Sequence, residues 1–131
     1  MTKEQRFKKE YAFELLKIAE GDLETTKILL QATSGRKENV CFNAQQVVKK
    51  SLISVLCFLE VPFPFTHNLD ILIGRIPNNF SFNGPENINE LTDYATIRRY
   101  EEGVFELDEE DLSLAYNLAK VTFEWAKKIC K

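Results

Sequence analysis

The triplet Arg98-Arg99-Tyr100 is the part of this 131-residue chain best suited to grip an anion. A guanidinium offers a planar fork of N–H donors that matches two oxygens of a phosphate, and a neighbouring ring can stack on a base. The plainer alternative is that both arginines pair with Asp93, Glu101 and Glu102 on a solvated face. Arg98 continues the line Ile88, Leu91, Ala95 along its predicted helix. Its stem is therefore expected to be partly buried, which favours a dedicated role.

His67, the single histidine, follows a proline-rich turn at the start of a predicted short helix. It can touch a phosphate or shuttle a proton. A lone histidine more often caps or packs, and no acid or second histidine is placed in the sequence to orient it. Further back, Asn43, Gln45, Gln46, Lys49 and Lys50 form the polar side of a predicted helix. Gln46 and Lys50 are four apart and share a face, as do Gln45 and Lys49. With the arginines they can line a polar groove between helices, although Lys49 reads more simply as an ordinary solvated lysine.

Other chemistries find no support. Asp22, Glu24 and the cluster Asp108, Glu109, Glu110, Asp111 raise the question of a carboxylate metal site. Capping and the helix dipole account for the cluster, and Asp22 has no histidine three residues on. Neither a metal nor a cofactor is expected. Cys41, Cys57 and Cys130 are odd in number and widely spaced, so they read as small buried hydrophobes in a reducing compartment rather than as a disulfide or zinc framework. Gly-rich phosphate loops, G-x-S-x-G and H-E-x-x-H are absent. A net charge of −3 excludes a generally basic nucleic-acid binder but leaves room for a local basic patch. With no run of about 18 apolar residues, and a charged start without an apolar stretch behind it, neither a membrane span nor a secretory signal is expected, and the location is read as cytoplasmic.

The elements that must position these residues are helical. Residues 3–30 carry the stripe Ala12, Leu16, Ala19, Leu23, Thr26, Leu30, a helix that continues through Gly21. Residues 37–59 form a second helix, amphipathic at first and apolar nearly all round from Leu52 to Leu59. Such a stretch is either central or covered by a partner chain. Pro62 and Pro64 forbid its continuation. Residues 68–76 give a short helix with Thr66 as its expected N-cap, and a loop follows from residue 78 to 84. Residues 85–100 give a fourth helix, ending in the arginines. The last helix opens at Asp108, with Leu107 and Leu112 spaced as a hydrophobic staple, and carries Leu112, Ala115, Ala119, Thr122, Ala126 and Ile129. Phe63, Phe65, Phe80 and Phe82 fall between helices, where they can dock a partner or plug the end of a bundle. Strand signals are nearly missing. The fold expected is all-α, an up-and-down bundle of four to five helices in one domain spanning 1–131.

These elements carry a familiar order of motifs. They are Ala19-x-x-Asp22-Leu23 with Leu29-Leu30, then Cys41-Phe42-Asn43-Ala44-Gln45-Gln46-x-x-x-Lys50. Thr66-His67-Asn68-Leu69 with Leu72 follows, and then Leu91-Thr92-x-Tyr94 ahead of Arg99-Tyr100. In this the chain resembles the HEPN family of higher eukaryotes and prokaryotes, and in particular its small prokaryotic members that accompany minimal nucleotidyltransferases. The resemblance implies a helical bundle that often dimerises, and a role beside a nucleotidyltransferase in modules of the toxin–antitoxin kind. It also places polar residues at Gln46 and Lys50, which strengthens both as ligand contacts.

Other members of that family are metal-independent ribonucleases with arginine followed, after four to six residues, by histidine. Here the corresponding positions, Gly103 to Glu106, hold no histidine. The expected function is therefore non-catalytic binding of a nucleotide or RNA phosphate, or of a nucleotidyltransferase subunit, by a homodimer. Arg98, Arg99, Tyr100, His67, Gln46 and Lys50 would hold the ligand. The alternative is a ribonuclease with a rearranged Arg/His site built on Arg98 or Arg99 and His67. Fold alone does not choose between them.

Overall fold

The computed structural model describes residues 4–5, 8–32, 37–80, 82 and 109–131. The predicted fourth helix lies outside them, together with Arg98, Arg99 and Tyr100 and the Leu107–Asp108 start signal of the last helix. Among the described residues stand three long helices and one short one: α1 (Tyr11–Gln31), α2 (Lys37–Phe58), α3 (Leu69–Gly74) and α4 (Glu109–Ile129). The chain is an all-α helical bundle.

The centre of the bundle is α2, which packs against α1, α3 and α4. Val40, Ala44, Val47, Val48, Leu52, Val55 and Leu56 are fully buried or nearly so. The apolar stretch from Leu52 to Leu59 is thus covered within the chain, so its composition needs no partner. Two contacts fix the antiparallel course of α1 and α2: Phe13 meets Phe58 edge-on at 6.0 Å between ring centroids, and Asp22 meets Lys50. Small residues at the buried seams, Ala12 and Ala19 on α1, Ala44 and Ser51 on α2, Ala115, Ala119 and Ala126 on α4, leave room for close helix packing. The stripe predicted on α1 holds through Gly21, and Leu15 joins it as a buried member.

Local features differ from the sequence reading around three helix ends. First, α1 begins at Tyr11 rather than Lys3, because residues 8–10 offer no apolar side chain for the core to hold, and an unpacked helical turn is marginal in water. Ahead of it Glu4–Gln5 form a short strand (β1) antiparallel to Phe63–Pro64 (β2), with Gln5 opposite Phe63.

Second, α2 ends before its prolines act. Glu60 adopts a left-handed φ of 57°, its N–H donates to Cys57 O at 3.0 Å, and the Val61 N–H donates back to Leu56 O at 2.8 Å. This pair of bonds satisfies the last carbonyls of the helix. Pro62 then fixes the extended exit.

Third, the N-cap of α3 is Asn68, whose Oδ1 accepts from the Asp70 N–H at 3.0 Å. Thr66 Oγ1 instead accepts from the Asn68 N–H at 3.0 Å, which braces the turn ahead of the cap. Where a loop was expected, residues Asn78–Phe80 form one 3-10 turn.

The loop aromatics divide. Phe63 is buried, Phe80 packs against the core, and Phe82 rests on Trp125 of α4 at 4.9 Å between centroids. Phe65 projects into solvent. All three cysteines are buried free thiols, as their apolar settings implied. Burial raises the thiols of Cys57 and Cys130 to about 11. No described helix is long and apolar enough to cross a membrane.

Candidate functional site

Of the six residues expected to hold the ligand, the structure describes Gln46, Lys50 and His67. Gln46, Lys49 and Lys50 occupy one face of α2, because positions three and four apart neighbour each other on a helix. That face looks toward the turn between β2 and α3, which carries His67. Lys49 Nζ lies 3.3 Å from His67 Nδ1, across 18 residues of sequence. Lys50 turns the other way and bonds Asp22 Oδ2 on α1. Gln46 Nε2 donates to Gln45 Oε1 at 2.7 Å. Three of the motif stretches therefore meet in one small region: Asp22 with Lys50, and Lys49 with His67.

The Lys49–His67 contact determines the state of the imidazole. An ammonium can only donate, so Nδ1 must accept, and the proton of the neutral ring sits on Nε2. The ammonium, followed by partial burial, holds His67 below its ordinary value of 6.5. Lys49 is itself lowered, first by desolvation and then by the charge of Lys50 beside it. The dyad thus presents the two remaining N–H groups of Lys49 and the Nε2–H of His67, all donors, in a field made positive by two lysines. Asp22 balances one of them. Such an arrangement can hold a phosphate or carboxylate oxygen.

Lys49 is the residue that sequence reasoning passed over as solvated. It is half-buried and faces His67, a contact between segments that no local spacing reveals. Gln45 differs from expectation in the opposite sense. It is fully buried rather than on the polar side, and its Nε2 has no hydrogen-bond partner. The signal for this was present: Cys41, Gln45, Val48 and Leu52 recur at gaps of 4, 3 and 4, which is a core stripe. Asn43 is tied to its own helix through a 2.8 Å bond from Nδ2 to Asn39 O.

A cleft of about 360 Å³ opens elsewhere, at the start of α1, lined among the described residues by Lys8, Glu10, Tyr11 and Glu14. Among the described residues, no group of three histidine, cysteine or acidic side chains is placed to hold a metal.

In comparison with known families, the model of the HEPN domain matches residues 12–129, nearly the whole chain. Comparison with curated proteins and with solved structures gives no match.

Proposed function

Because this chain belongs to the HEPN domain family, whose members are nucleotide-binding or ribonuclease-type domains, we propose that it binds the phosphate of a nucleotide or of RNA without catalysing a reaction. The observation that carries this reading is the 3.3 Å Lys49–His67 dyad, an array of donors only, beside Lys50. Arg98, Arg99 and Tyr100 complete the proposed site from the sequence pattern, and Gln46 adds an amide at its edge. The setting is a module of the toxin–antitoxin kind, in which the chain dimerises or meets a nucleotidyltransferase subunit. Ile18 and Ile28 on α1, with Leu114 and Val121 on α4, are exposed and available to such partners.

Calorimetric titration with ATP and with a short RNA, at low salt, tests the binding. Replacing a donor to a charged ligand removes a charge-assisted hydrogen bond, so Lys49→Gln is expected to weaken affinity about tenfold. Arg99→Ala is expected to weaken it as well. If both variants bind as the parent chain does, the site is misassigned.

The rearranged ribonuclease is the second reading. It requires a proton acceptor near the attacking 2′-hydroxyl. In the neutral His67 ring Nδ1 is engaged by Lys49 and Nε2 carries the proton, so no lone pair is free for that task. This favours binding over cleavage. RNA digestion that survives His67→Ala would remove the histidine-based version altogether.

A further inference from the structure

Phe65 is 69% exposed, the most exposed of the large hydrophobic side chains in the described residues. Its neighbours are all tied down. On one side Phe63 is buried and pairs with Gln5, Pro64 pairs with Glu4, and Arg75 Nη1 donates to Pro62 O at 3.2 Å. On the other side Thr66 accepts from Asn68, Asn68 caps α3, and Leu69 is fully buried. Two prolines further restrict the backbone. The ring is therefore held out in water by a short braced segment, and it has no long tether on which to fold back. An apolar ring presented in this way loses little conformational freedom when something covers it.

Two residues along the same segment stands His67, with Lys49 against it. Residues two apart lie within about 7 Å along the backbone. In a nucleotide a single ribose separates the base from its 5′-phosphate, so a ring and a phosphate-binding dyad this close suit the two ends of one nucleotide unit. We propose that Phe65 is the stacking platform for the base of the ligand whose phosphate Lys49 and His67 hold. The ligand is then an unpaired nucleotide unit, free or within a single strand. A duplex, whose bases are stacked on each other, cannot offer that face. This inference rests on the phosphate-binding reading and adds to it a base requirement.

The test compares ribose 5-phosphate, adenosine 5′-monophosphate, a single-stranded RNA tetramer and a short RNA duplex on the intact chain. The nucleotide is expected to bind about tenfold more tightly than ribose 5-phosphate, the gain of one stacked base. Phe65→Ala should erase that ratio and leave ribose 5-phosphate binding unchanged, and Phe65→Trp should restore it. The nucleotide and tetramer arms separate a free ligand from a strand, and a ratio lost with Phe65→Ala in either arm supports the platform. An unchanged ratio in Phe65→Ala, with Lys49→Gln still weakening both ligands, overturns the platform and leaves the phosphate site standing. Binding of neither ligand overturns both. If Phe65→Ala instead lowers the mass in solution without altering the ratio, the ring is a contact between copies and the proposal falls.

Discussion

The two sides of α2 obey different rules. Its inner side, Val40, Ala44, Val47, Leu52 and Val55, is apolar and close-packed, and most buried hydroxyls around it find a carbonyl: Ser54 bonds Ser51 O and Thr122 of α4 bonds Leu118 O, each at 2.7 Å. Its outer side places Lys49 next to Lys50, desolvates Lys49 and sets it against an imidazole kept below its usual pKa. On the proposed function the outer side serves binding while the inner side serves stability, and substitutions should separate the two.

The largest effect belongs to the inner side. Leu52→Ala deletes a fully buried side chain at the centre of the bundle and should lower unfolding free energy by about 2–5 kcal/mol, measured by urea denaturation, with ligand affinity of the folded fraction unchanged. Gly21→Ala sharpens the contrast from α1. A methyl group there meets nothing within 4 Å, so the variant should gain up to about 1 kcal/mol from helix propensity alone, visible as a higher Tm.

Lys49→Met keeps the aliphatic stem and removes one of two neighbouring charges. Stability should stay within about 0.5 kcal/mol of the parent while phosphate affinity falls. A loss of stability comparable to that of Leu52→Ala would show that the lysine is structural and would erase the distinction between the two sides.

The smallest effect is a pH dependence. His67 has a lower pKa folded than unfolded, so the unfolded chain binds more protons as pH falls below 6.5. Its contribution to stability is complete above that value and erodes as pH drops toward the folded pKa. The ring is largely exposed, so the slope is shallow, and His67→Gln should flatten it in denaturation curves taken from pH 7 to 5. Ligand binding reverses the sense: an anion on the dyad favours the protonated ring, so phosphate affinity should rise over the same descent.

Much of the bundle was legible because helical periodicity repeats every few residues and a core stripe states its own face. The course of α1 through Gly21, the start of α2 and the run of α4 all followed from it. Boundaries were harder where the deciding bond is made by backbone geometry. Glu60 carries no glycine-like signature, yet it takes the left-handed position that closes α2, and the start of α1 depended on which residues the core could reach. At the site, His67 and Lys50 were visible as chemistry-bearing types, whereas Lys49 was indistinguishable from any surface lysine. Arg98, Arg99 and Tyr100 rest on sequence pattern.

By itself, then, the sequence determined the helical class, the buried stripes and the family to which the chain belongs, because each is written in local spacing or in the order of motifs. The tertiary structure decided which polar residues face one another. Lys49 and His67 come together only when α2 and the turn before α3 pack side by side, and Asp22 reaches Lys50 only when α1 lies antiparallel on α2. Contacts of that kind join residues far apart along the chain, and side-chain periodicity carries no information about them.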